Sequence, residues 1–418
     1  MGKIPQKKNI VVIGGGFAGV RAALDLDRRV SSQYRIILVD RNSYHAPYSM
    51  LYEAVSAYIS GDHKADFAAV RAAIAVPFHL IIRNTNISFI KGTFEGIDFV
   101  DQRVKVDGFR IPYEYALLGL GSTTNYFSVT GLRDTSFPLK SLDDAQNLRN
   151  AIEELFARKN HDEQIHIVVG GAGFTGVEVA SELPALLSNL SRKYKRARKT
   201  VTLTLVEAAG TILPGAKPGL LHVAEKRLTR LGVVLQCGSA VRSLEGGRLM
   251  LSSNVSIPAD LVAWTAGISV PAVTEKIPDV PREKGYLVTD EFLRFSAHPE
   301  VYAIGDLVYC MDKRNQCSVA ATAQRALAHG ECAAENIYRT TQNLPLLEYE
   351  PRSPAFVVPL GGKYATADLW GFRLSGILPW ILKLLIEYSY LLSILPVLDA
   401  TKKWMYGVSV YIKIDYKA

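Results

Sequence analysis

The chain has 418 residues, enough for two or three domains that each bury a core of their own. Apolar residues make up 48% and charged residues 21%, a globular composition that excludes disorder over most of the length. The 48 lysines and arginines outnumber the 40 aspartates and glutamates. The resulting net charge of +8 favours an anionic partner, either nucleic acid or a membrane face.

Cysteine usage and the first residues give further exclusions. Four cysteines are too few for a disulfide scaffold and no two form a CxxC pair, so a reduced, cytosolic compartment is expected. The first residues carry no apolar signal-peptide core, so neither secretion nor lipid anchoring is predicted. No metal site is predicted either.

The first predicted elements are a strand, a glycine-rich turn and a helix. A predicted strand at 9–13, apolar from Ile10 onward, leads directly into the sequence GGGFAG at 14–19, and a helical pattern covers 20–26. A second apolar strand at 36–39 ends on Asp40.

The same order of elements recurs further along the chain. A strand at 165–169 leads into GAGFTG at 171–176, a helix continues to residue 186, and a strand at 201–206 ends on Glu207. The repeat indicates an internal duplication of strand, glycine turn, helix, strand and acid.

Both repeats meet the requirements of a dinucleotide-binding turn. The first glycine permits the tight turn, the second lets a pyrophosphate approach the backbone, and the third lets the helix pack on the strand. The phosphates then lie at a helix N-terminus, where unpaired N–H groups and the helix dipole favour negative charge. These glycines are Gly14, Gly16 and Gly19 in the first turn and Gly171, Gly173 and Gly176 in the second.

The acids that end the second strands predict the ribose contacts. Asp40 and Glu207 are expected to accept hydrogen bonds from ribose hydroxyls. The Glu207 carboxylate would repel a 2′-phosphate, so NADH is favoured over NADPH at the second site. Two such sites in one chain indicate two cofactors that pass electrons between them.

Shorter motifs carry a resemblance to a known class. A strand at 113–118 is followed by GLGS at 119–122, residues 301–306 read as a strand ending in Gly-Asp, and LVAWTAG occupies 261–267. They resemble the motifs of the two-dinucleotide-binding flavoproteins with the glutathione-reductase-like fold. The resemblance implies FAD at the first site and NAD(P)H at the second. It also implies that Asp306 contacts the ribityl–phosphate region of FAD and that 261–267 closes the NADH domain against the flavin.

The fold class and domain order follow from these motifs. The predicted fold is α/β, with two Rossmann-like domains and a C-terminal helical region that associates with a membrane. The FAD-binding domain is expected to be discontinuous, at 1–125 and 286–345. The NADH-binding domain is expected at 126–285 and the membrane-attachment region at 346–418.

Four longer segments resemble the type II (alternative) NADH:quinone oxidoreductases. They are residues 40–45 with Leu51 and Tyr52, residues 119–127, residues 176–183, and residues 323–326. The resemblance implies a peripheral enzyme at the cytoplasmic face of the cell membrane, sometimes a homodimer. It would pass hydride from NADH to FAD and then two electrons to a membrane quinone, without pumping protons.

The resemblance also assigns site residues. Gln324 is expected near the quinone head and the flavin edge. Glu178, early in a helix, is expected to gate or relay protons at the nicotinamide–flavin junction, or else only to complement the charge of the helix start. The remaining predicted cofactor contacts are Phe17, Ala18, Arg41, Gly121, Ser122, Ala323, Phe174, Thr175, Ala266 and Gly267.

Two positions depart from the pattern of the type II enzymes. Ala328 stands where a second glutamine is usual and Ser49 where a proline is common, and both are expected to border the acceptor pocket. His329 is a candidate for the lost polar contact, against the commoner role of a surface or satisfied histidine.

The cysteine positions and two other function classes complete the prediction. Residues 1–236 contain no cysteine, which excludes thiol–disulfide chemistry beside the flavin. Cys310 and Cys317 are a candidate redox pair, with ordinary thiols as the favoured interpretation. One alternative function is a soluble reductase of a small iron–sulfur carrier, which would not need an apolar C-terminus. The other is a non-catalytic, membrane-bound NADH sensor.

The C-terminal composition predicts contact with a lipid membrane surface. Residues 376–398 reach spanning length but carry Lys383 and Glu387 one turn apart, so we expect an interfacial helix with its charged stripe toward water. Residues 402–404 (KKW) are expected to supply cations for anionic lipid and an aromatic ring for the headgroup zone. A buried helix or a dimer interface is the alternative.

A basic run at 192–199 holds six cations in eight residues. A solvated helix end is predicted there. Nucleic-acid binding is not predicted, because Tyr194 is the only aromatic residue within the run.

Overall fold

Two parallel sheets with helices packed against them form the body of the protein in a computed structural model. The structure describes residues 7–57, 67–312, 317–351 and 356–415. Eleven α-helices lie within these ranges. They are α1 (Phe17–Val30), α2 (Leu51–Ser56), α3 (Phe67–Ile74), α4 (Phe78–Ile81), α5 (Leu132–Thr135), α6 (Leu142–Arg158), α7 (Phe174–Lys193), α8 (Pro218–Arg230), α9 (Ala323–Thr341), α10 (Ile377–Ile394) and α11 (Val397–Asp415).

The first sheet has six strands and is parallel except at one edge. Its strands, in spatial order, are Arg294–Phe295, His298–Ala303, Tyr115–Leu118, Lys8–Ile13, Tyr34–Asp40 and Ser88–Lys91. The central strand ends in four buried apolar residues, as a parallel strand covered on both faces requires. Because two strands come from far downstream, two separate parts of the chain build this sheet.

The second sheet repeats the plan with five parallel strands. They are Phe137–Pro138, Leu261–Trp264, Ile165–Gly170, Val201–Val206 and Val233–Gln236. In both sheets the strand before the glycine turn pairs with the strand that follows the next helix. The predicted α/β class is confirmed. The domain limits stay a prediction.

Smaller antiparallel sheets flank these two. Three-stranded sheets comprise Phe94–Asp98, Arg103–Val106 and Phe109–Pro112, and Val241–Glu245, Arg248–Leu251 and Ser256–Pro258. Two-stranded pairs are Tyr44–His45 with Val76–Pro77, Thr123–Thr124 with Ile268–Ser269, Arg282–Glu283 with Tyr286–Leu287, and Met311–Asp312 with Cys317–Ser318.

The C-terminal region begins with a sheet, although only helices were predicted there. The antiparallel strands Phe356–Pro359, Ala365–Leu369 and Phe372–Gly376 precede α10 and α11. Trp370 and Gly371 join the last two strands, both with positive φ, as a type I′ hairpin turn requires.

The two C-terminal helices pack on both halves of the molecule. Leu391, Ile394 and Ala400 enter the core of the first sheet, and Val410 enters the core of the second. Their burial against both cores makes α10 and α11 part of the folded body.

The basic run after α7 is less solvated than predicted. Arg196 is 4% exposed, and its guanidinium donates to the carbonyl oxygens of Lys159, Asn160 and Glu163 at 2.8, 2.6 and 2.5 Å. The expectation of a solvated helix end holds for Arg192, Lys195 and Lys199, which are exposed, and fails at Arg196, because the chain after α6 offers carbonyls that draw this side chain inward.

Candidate active site

The two glycine-rich turns have nearly the same backbone. Gly14 has a φ of +99° and Gly171 a φ of +93°, a region that favours glycine. A Cβ on Gly19 would lie 1.8 Å from the Gly14 carbonyl oxygen, and a Cβ on Gly176 would lie 1.8 Å from that of Gly171. Glycine is therefore required at the first and third positions of each turn.

The second glycine of each turn faces open space. A Cβ on Gly16 or on Gly173 would meet no atom within 4 Å. These two residues are the N-caps of α1 and α7, and no side chain caps either helix. Each turn thus offers a helix N-terminus with backbone N–H groups that a pyrophosphate can reach.

Each second strand ends in the predicted acid, and each acid holds its own turn. Asp40 Oδ2 accepts a hydrogen bond from the Gly15 N–H at 2.6 Å, and Glu207 Oε2 accepts one from the Ala172 N–H at 2.6 Å. Burial raises the pKa of Asp40. Arg41 is exposed beside Asp40. Both acids lie at strand carboxyl ends, where ribose hydroxyls are bound in doubly wound folds.

A cavity of about 460 Å³ joins the first turn to the start of α7 and to the C-terminal helices. Its wall contains these predicted site residues: Gly16, Phe17, Ala18, Gly121, Ser122, Phe174, Thr175, Glu178, Asp306, Ala323 and Gln324. The other predicted residues lie outside this wall: Gly14, Gly19, Asp40, Arg41, Gly171, Gly173, Gly176, Glu207, Ala266 and Gly267.

The motif at 261–267 joins the two halves of the molecule. Ala266 packs against Gly171, and the indole Nε1 of Trp264 donates to the Asn125 carbonyl oxygen at 2.8 Å. Gly267 has a φ of +68° and leads into the strand that pairs with Thr123–Thr124. The motif therefore joins the two halves through the Trp264 indole and the strand pairing, and it lies outside the cavity wall.

Part of the wall was missed by the sequence analysis. Residues of the C-terminal sheet, α10 and α11 line the cavity: Phe356, Val357, Pro359, Lys383, Ile386, Glu387, Tyr390, Leu391, Lys403, Trp404, Gly407 and Val408. The sequence did indicate residues of this wall, because Lys383 and Glu387 are charges within an apolar segment. The prediction assigned both charges to the side that faces water.

Lys383 points into the protein. Its ammonium pairs with Glu53 of α2 and lies 2.7 Å from Glu387 Oε1. All three side chains are at most 14% exposed. The predicted water-facing stripe is therefore wrong, because Glu53 supplies a buried counter-charge from a distant part of the chain. Burial opposes the charge on Lys383, but Glu387 and Glu53 outweigh it and raise the pKa of the ammonium.

Glu178 lies beside this buried charge cluster. Burial raises its pKa to about 8, with Lys383 acting in the opposite direction and Glu53 adding to the rise. Burial likewise raises the pKa of Glu387 to about 7. At neutral pH the Glu178 carboxyl therefore keeps its proton inside the cavity, which suits a group that donates or relays protons.

The residues expected at the headgroup zone also turn inward. Lys403 Nζ donates to the carbonyl oxygens of Ala72 and Ala75 at the end of α3, and burial lowers its pKa to about 8. The Trp404 Nε1 donates to the Leu384 carbonyl oxygen at 2.9 Å. The predicted lipid contact of Lys403 and Trp404 is therefore wrong.

A hydrogen-bond chain links α10 to the first glycine turn. His45 Nδ1 donates to the Gly15 carbonyl oxygen at 2.9 Å, and Tyr390 donates its hydroxyl to His45 Nε2 at 2.7 Å. Burial lowers the pKa of His45 to about 4, so the ring is neutral and these roles are fixed. The Phe17 ring lies 5.0 Å from that of Tyr390.

Of the two departures from the type II pattern, one borders the cavity. Ser49 lines it, and Ala328 does not. His329 is fully buried and accepts a hydrogen bond from the Gly305 N–H at 3.2 Å. It is a core histidine whose buried Nε2 has no hydrogen-bond partner among the described residues, and it does not line the cavity.

The outer side of the C-terminal region is apolar. Trp370 is 80% exposed and Leu398 is 75% exposed. The other exposed apolar side chains there are Phe372, Leu374, Ile377, Leu378, Ile381, Leu385, Ile386, Leu392, Val397, Met405 and Tyr406. Among the described helices, α10 alone is long and apolar enough, by length and composition, to cross a membrane.

Comparison with known proteins identifies the family. The pattern of the family described as "Pyridine nucleotide-disulphide oxidoreductase" matches residues 8–330. The chain belongs to this family. Yet its first cysteine is Cys237, so it has no cysteine on the helix after the first turn. Burial raises the pKa of the Cys310 thiol, and the Cys317 side chain lies outside the described residues, so that redox pair stays a prediction.

Individual relatives of this chain carry a more specific name than the family does. The type II NADH:quinone oxidoreductase of Staphylococcus saprophyticus is 26% identical over 380 residues, covering 89% of this chain and 92% of that protein. The protein of the same name from Staphylococcus aureus is 25% identical over 386 residues, with the same coverage. The resemblance predicted from the motifs is confirmed by these relatives.

Solved structures share the fold. NDH2 from Plasmodium falciparum, in complex with NADH, aligns with a TM-score of 0.85 at 16% identity, over 98% of this chain and 99% of that one. The sulfide:quinone oxidoreductase of Aquifex aeolicus aligns with a TM-score of 0.75 at 18% identity, over 93% and 91% of the two chains.

The residues of this family member fit two bound dinucleotides. Two glycine turns leave open space above Gly16 and Gly173, each with an uncapped helix N-terminus and an acid at the ribose position. The first turn opens into the shared cavity, and the start of α7 enters it from the other half. The arrangement can bring two redox partners together within one enclosed space.

Proposed function

We propose that the chain is a membrane-peripheral, FAD-dependent NADH:quinone oxidoreductase that does not pump protons. One observation carries the proposal. A single cavity is bounded by the first glycine turn, by the start of α7 after the second turn, and by helices whose other side is apolar and exposed. A soluble donor, a resident cofactor and a lipid-dissolved acceptor can therefore meet in it.

The two turns hold the two cofactors. The N–H groups at the start of α1 bind the FAD pyrophosphate, and Asp40 binds its ribose. Ser122 donates to Asp306 at 2.8 Å, which holds the carboxylate that would bind the ribityl chain of FAD. The start of α7 and Glu207 bind NADH in the same manner. Bound FAD supplies the redox chemistry, accepting hydride and passing on two electrons.

The acceptor end of the cavity is formed by α9 and the C-terminal helices. Gln324 at the start of α9 presents an amide that can hydrogen-bond a quinone carbonyl. Glu178 keeps a proton at neutral pH beside the Lys383 cluster and delivers it toward the acceptor. These roles combine a binding amide with a proton source in one water-poor space.

The apolar outer side of α10, α11 and the hairpin at Trp370 supports attachment to a membrane surface. Exposed Lys402 and the net charge of +8 favour anionic lipid. We place the NADH-binding half in the cytoplasm, in keeping with the few cysteines. A homodimer stays a prediction.

The deciding experiment is stopped-flow spectroscopy of the FAD-loaded protein. We expect NADH to bleach the bound flavin faster than NADPH does, and a short-chain quinone to restore its absorbance. Bleaching without reoxidation by any quinone would favour the NADH sensor. Reoxidation by a small iron–sulfur protein alone would favour the soluble reductase. A protein that binds no FAD would end the proposal.

A further inference from the structure

The side chain of Lys140 reaches from one half of the molecule to the other. It lies just before α6, in the part of the chain that builds the second sheet, yet it lines the central cavity. Its ammonium donates to Ser122 Oγ at 3.1 Å, and Ser122 in turn donates to Asp306 Oδ2 at 2.8 Å. The resemblance and the motifs assigned no role to this residue.

The start of α6 fixes the backbone of Lys140. The N-cap Ser141 accepts a hydrogen bond from the Asp144 N–H at 3.0 Å, and Asp144 Oδ2 accepts one from the Lys140 N–H at 2.9 Å. These reciprocal bonds leave the side chain a defined direction across to the flavin turn. The cation is therefore pre-organised.

Among the described residues, no carboxylate forms an ion pair directly with the Lys140 ammonium. Burial lowers the pKa of Lys140, and the Asp306 carboxylate, linked to the ammonium through the Ser122 hydroxyl, acts against this shift. A partly buried cation is stabilised by negative charge brought into the same cavity. The cofactor is the natural source of that charge.

Two parts of FAD carry or gain negative charge. The pyrophosphate is held at Gly16, where α1 begins. The ring system must reach the junction with the nicotinamide, and Lys140 belongs to the half that brings the nicotinamide, with Thr175 and Glu178 in the same wall. When the neutral ring accepts hydride, it gains one negative charge and NAD⁺ leaves, so no proton is consumed in that step.

We infer that Lys140 contacts the flavin ring and tunes its potential, its ammonium stabilising the charge that the ring gains with hydride. A cation beside the flavin favours the reduced form and makes NADH a more effective donor. The inference rests on the FAD site of the proposed function.

The test compares Lys140→Met, which removes the charge, with Lys140→Arg, which keeps it. Lys226→Met, at an exposed lysine of α8, is the matched control. The first measurement is the two-electron midpoint potential of the FAD-loaded proteins. The second measurement is their affinity for sulfite. Sulfite adds to the oxidised flavin ring and leaves a negative charge on it, so this measurement needs neither NADH nor quinone.

For Lys140→Met we expect a tenfold loss in the preference for reduced over oxidised FAD, equal to a potential lower by about 30 mV. Sulfite affinity should fall by a similar factor. Lys140→Arg and Lys226→Met should stay close to the parent protein in both measurements.

Three results would overturn the inference. They are an unchanged potential and sulfite affinity in Lys140→Met, an equal change in Lys140→Arg, and a loss of FAD affinity that is the same in both redox states. The last result would mean that the Lys140 ammonium contacts the pyrophosphate of FAD and not its ring. If the parent protein binds FAD and is bleached by NADH, these failures leave the proposed function standing.

Discussion

Glu178 combines a half-buried carboxyl on the cavity wall with a proton that it keeps at neutral pH. Its pKa is raised to about 8 by burial, so the group is neutral below that pH and becomes charged as the pH rises through it. If Glu178 relays protons to the quinone, flavin reoxidation should slow above about pH 8. Glu178→Gln should slow it about a hundredfold at pH 7 and remove the inflection. Single-turnover reoxidation across pH checks both.

Glu182, one turn further along α7, is the matched control for this test. It is buried, and its charge adds to the rise in the pKa of Glu178, so Glu182→Gln should retain the inflection but move it below pH 8. If Glu178 only complements the charge at the helix start, Glu178→Gln will alter stability by roughly 0.3–1 kcal/mol and leave the pH profile as it was. A wild-type profile without an inflection would also contradict the relay.

Glu207 should decide between NADH and NADPH. Its Oε2 is fixed by the Ala172 N–H at the tip of the second strand. Glu207→Gln keeps an acceptor for that bond but removes the charge that repels a 2′-phosphate. We expect the ratio of kcat/KM for NADH over NADPH to fall about tenfold, equal to about 1.4 kcal/mol. Exposed Glu245→Gln serves as the control, and an unchanged ratio in Glu207→Gln would remove this residue from the role.

Residues differ in how far their roles could be predicted from sequence. The positions of Gly14, Gly171 and the acids Asp40 and Glu207 were predictable because they depend on the order of strand, turn and helix around them. Lys140 and Lys383 were not, because each depends on a partner that only the folded chain brings close. Ser122 supplies that partner for the first and Glu53 for the second.

At the level of elements, α10 is held by buried charge. Lys383→Met would leave Glu53 and Glu387 buried beside each other without their cation. We expect a loss of about 3–5 kcal/mol in the free energy of unfolding, measured by urea denaturation. Exposed Lys402→Met is the matched control and should change stability by less than about 0.5 kcal/mol.

A double variant separates the ion pairs from simple packing. Adding Glu387→Gln to Lys383→Met removes one of the two stranded charges, so part of the loss should be recovered. If the double variant is as unstable as the sum of the single ones, the charge cluster does not hold α10 in place.

The C-terminal elements were only partly predictable. The apolar content of 376–398 correctly indicated a helix. The sequence did not show which face of this helix is turned toward water, because an amphipathic pattern shows only that two faces differ. The preceding sheet was missed because strands such as Ala365–Leu369 alternate weakly and a composition-based prediction gives them little weight.

For the whole molecule, attachment to lipid is best tested on the outer face alone. Leu378 is 66% exposed and Leu398 is 75% exposed. Replacing both with serine should weaken binding to vesicles at least about tenfold, because each buried leucine contributes roughly 1.5–3 kcal/mol. Flotation with liposomes measures it. Val100→Ser with Phe109→Ser, two exposed apolar residues of another surface, is the control.

Two results would contradict membrane attachment through this face. One is an equal loss of vesicle binding in the leucine double variant and the control double variant, and the other is a wild-type protein that does not float. Deleting 376–418 is a poorer test. The deleted helices also form a wall of the cavity and pair with Glu53, so truncation would disturb the active site and the lipid contact together.

The apolar side of α10 and its cavity side are separated by the thickness of one helix, about 10–12 Å. If the proposed function holds, a quinone has to move past no more than this width and need not enter bulk water. Turnover would then depend on the mole fraction of quinone within the lipid. Diluting a fixed amount of quinone with more phospholipid would slow the enzyme, whereas adding buffer would leave its rate per bilayer area unchanged.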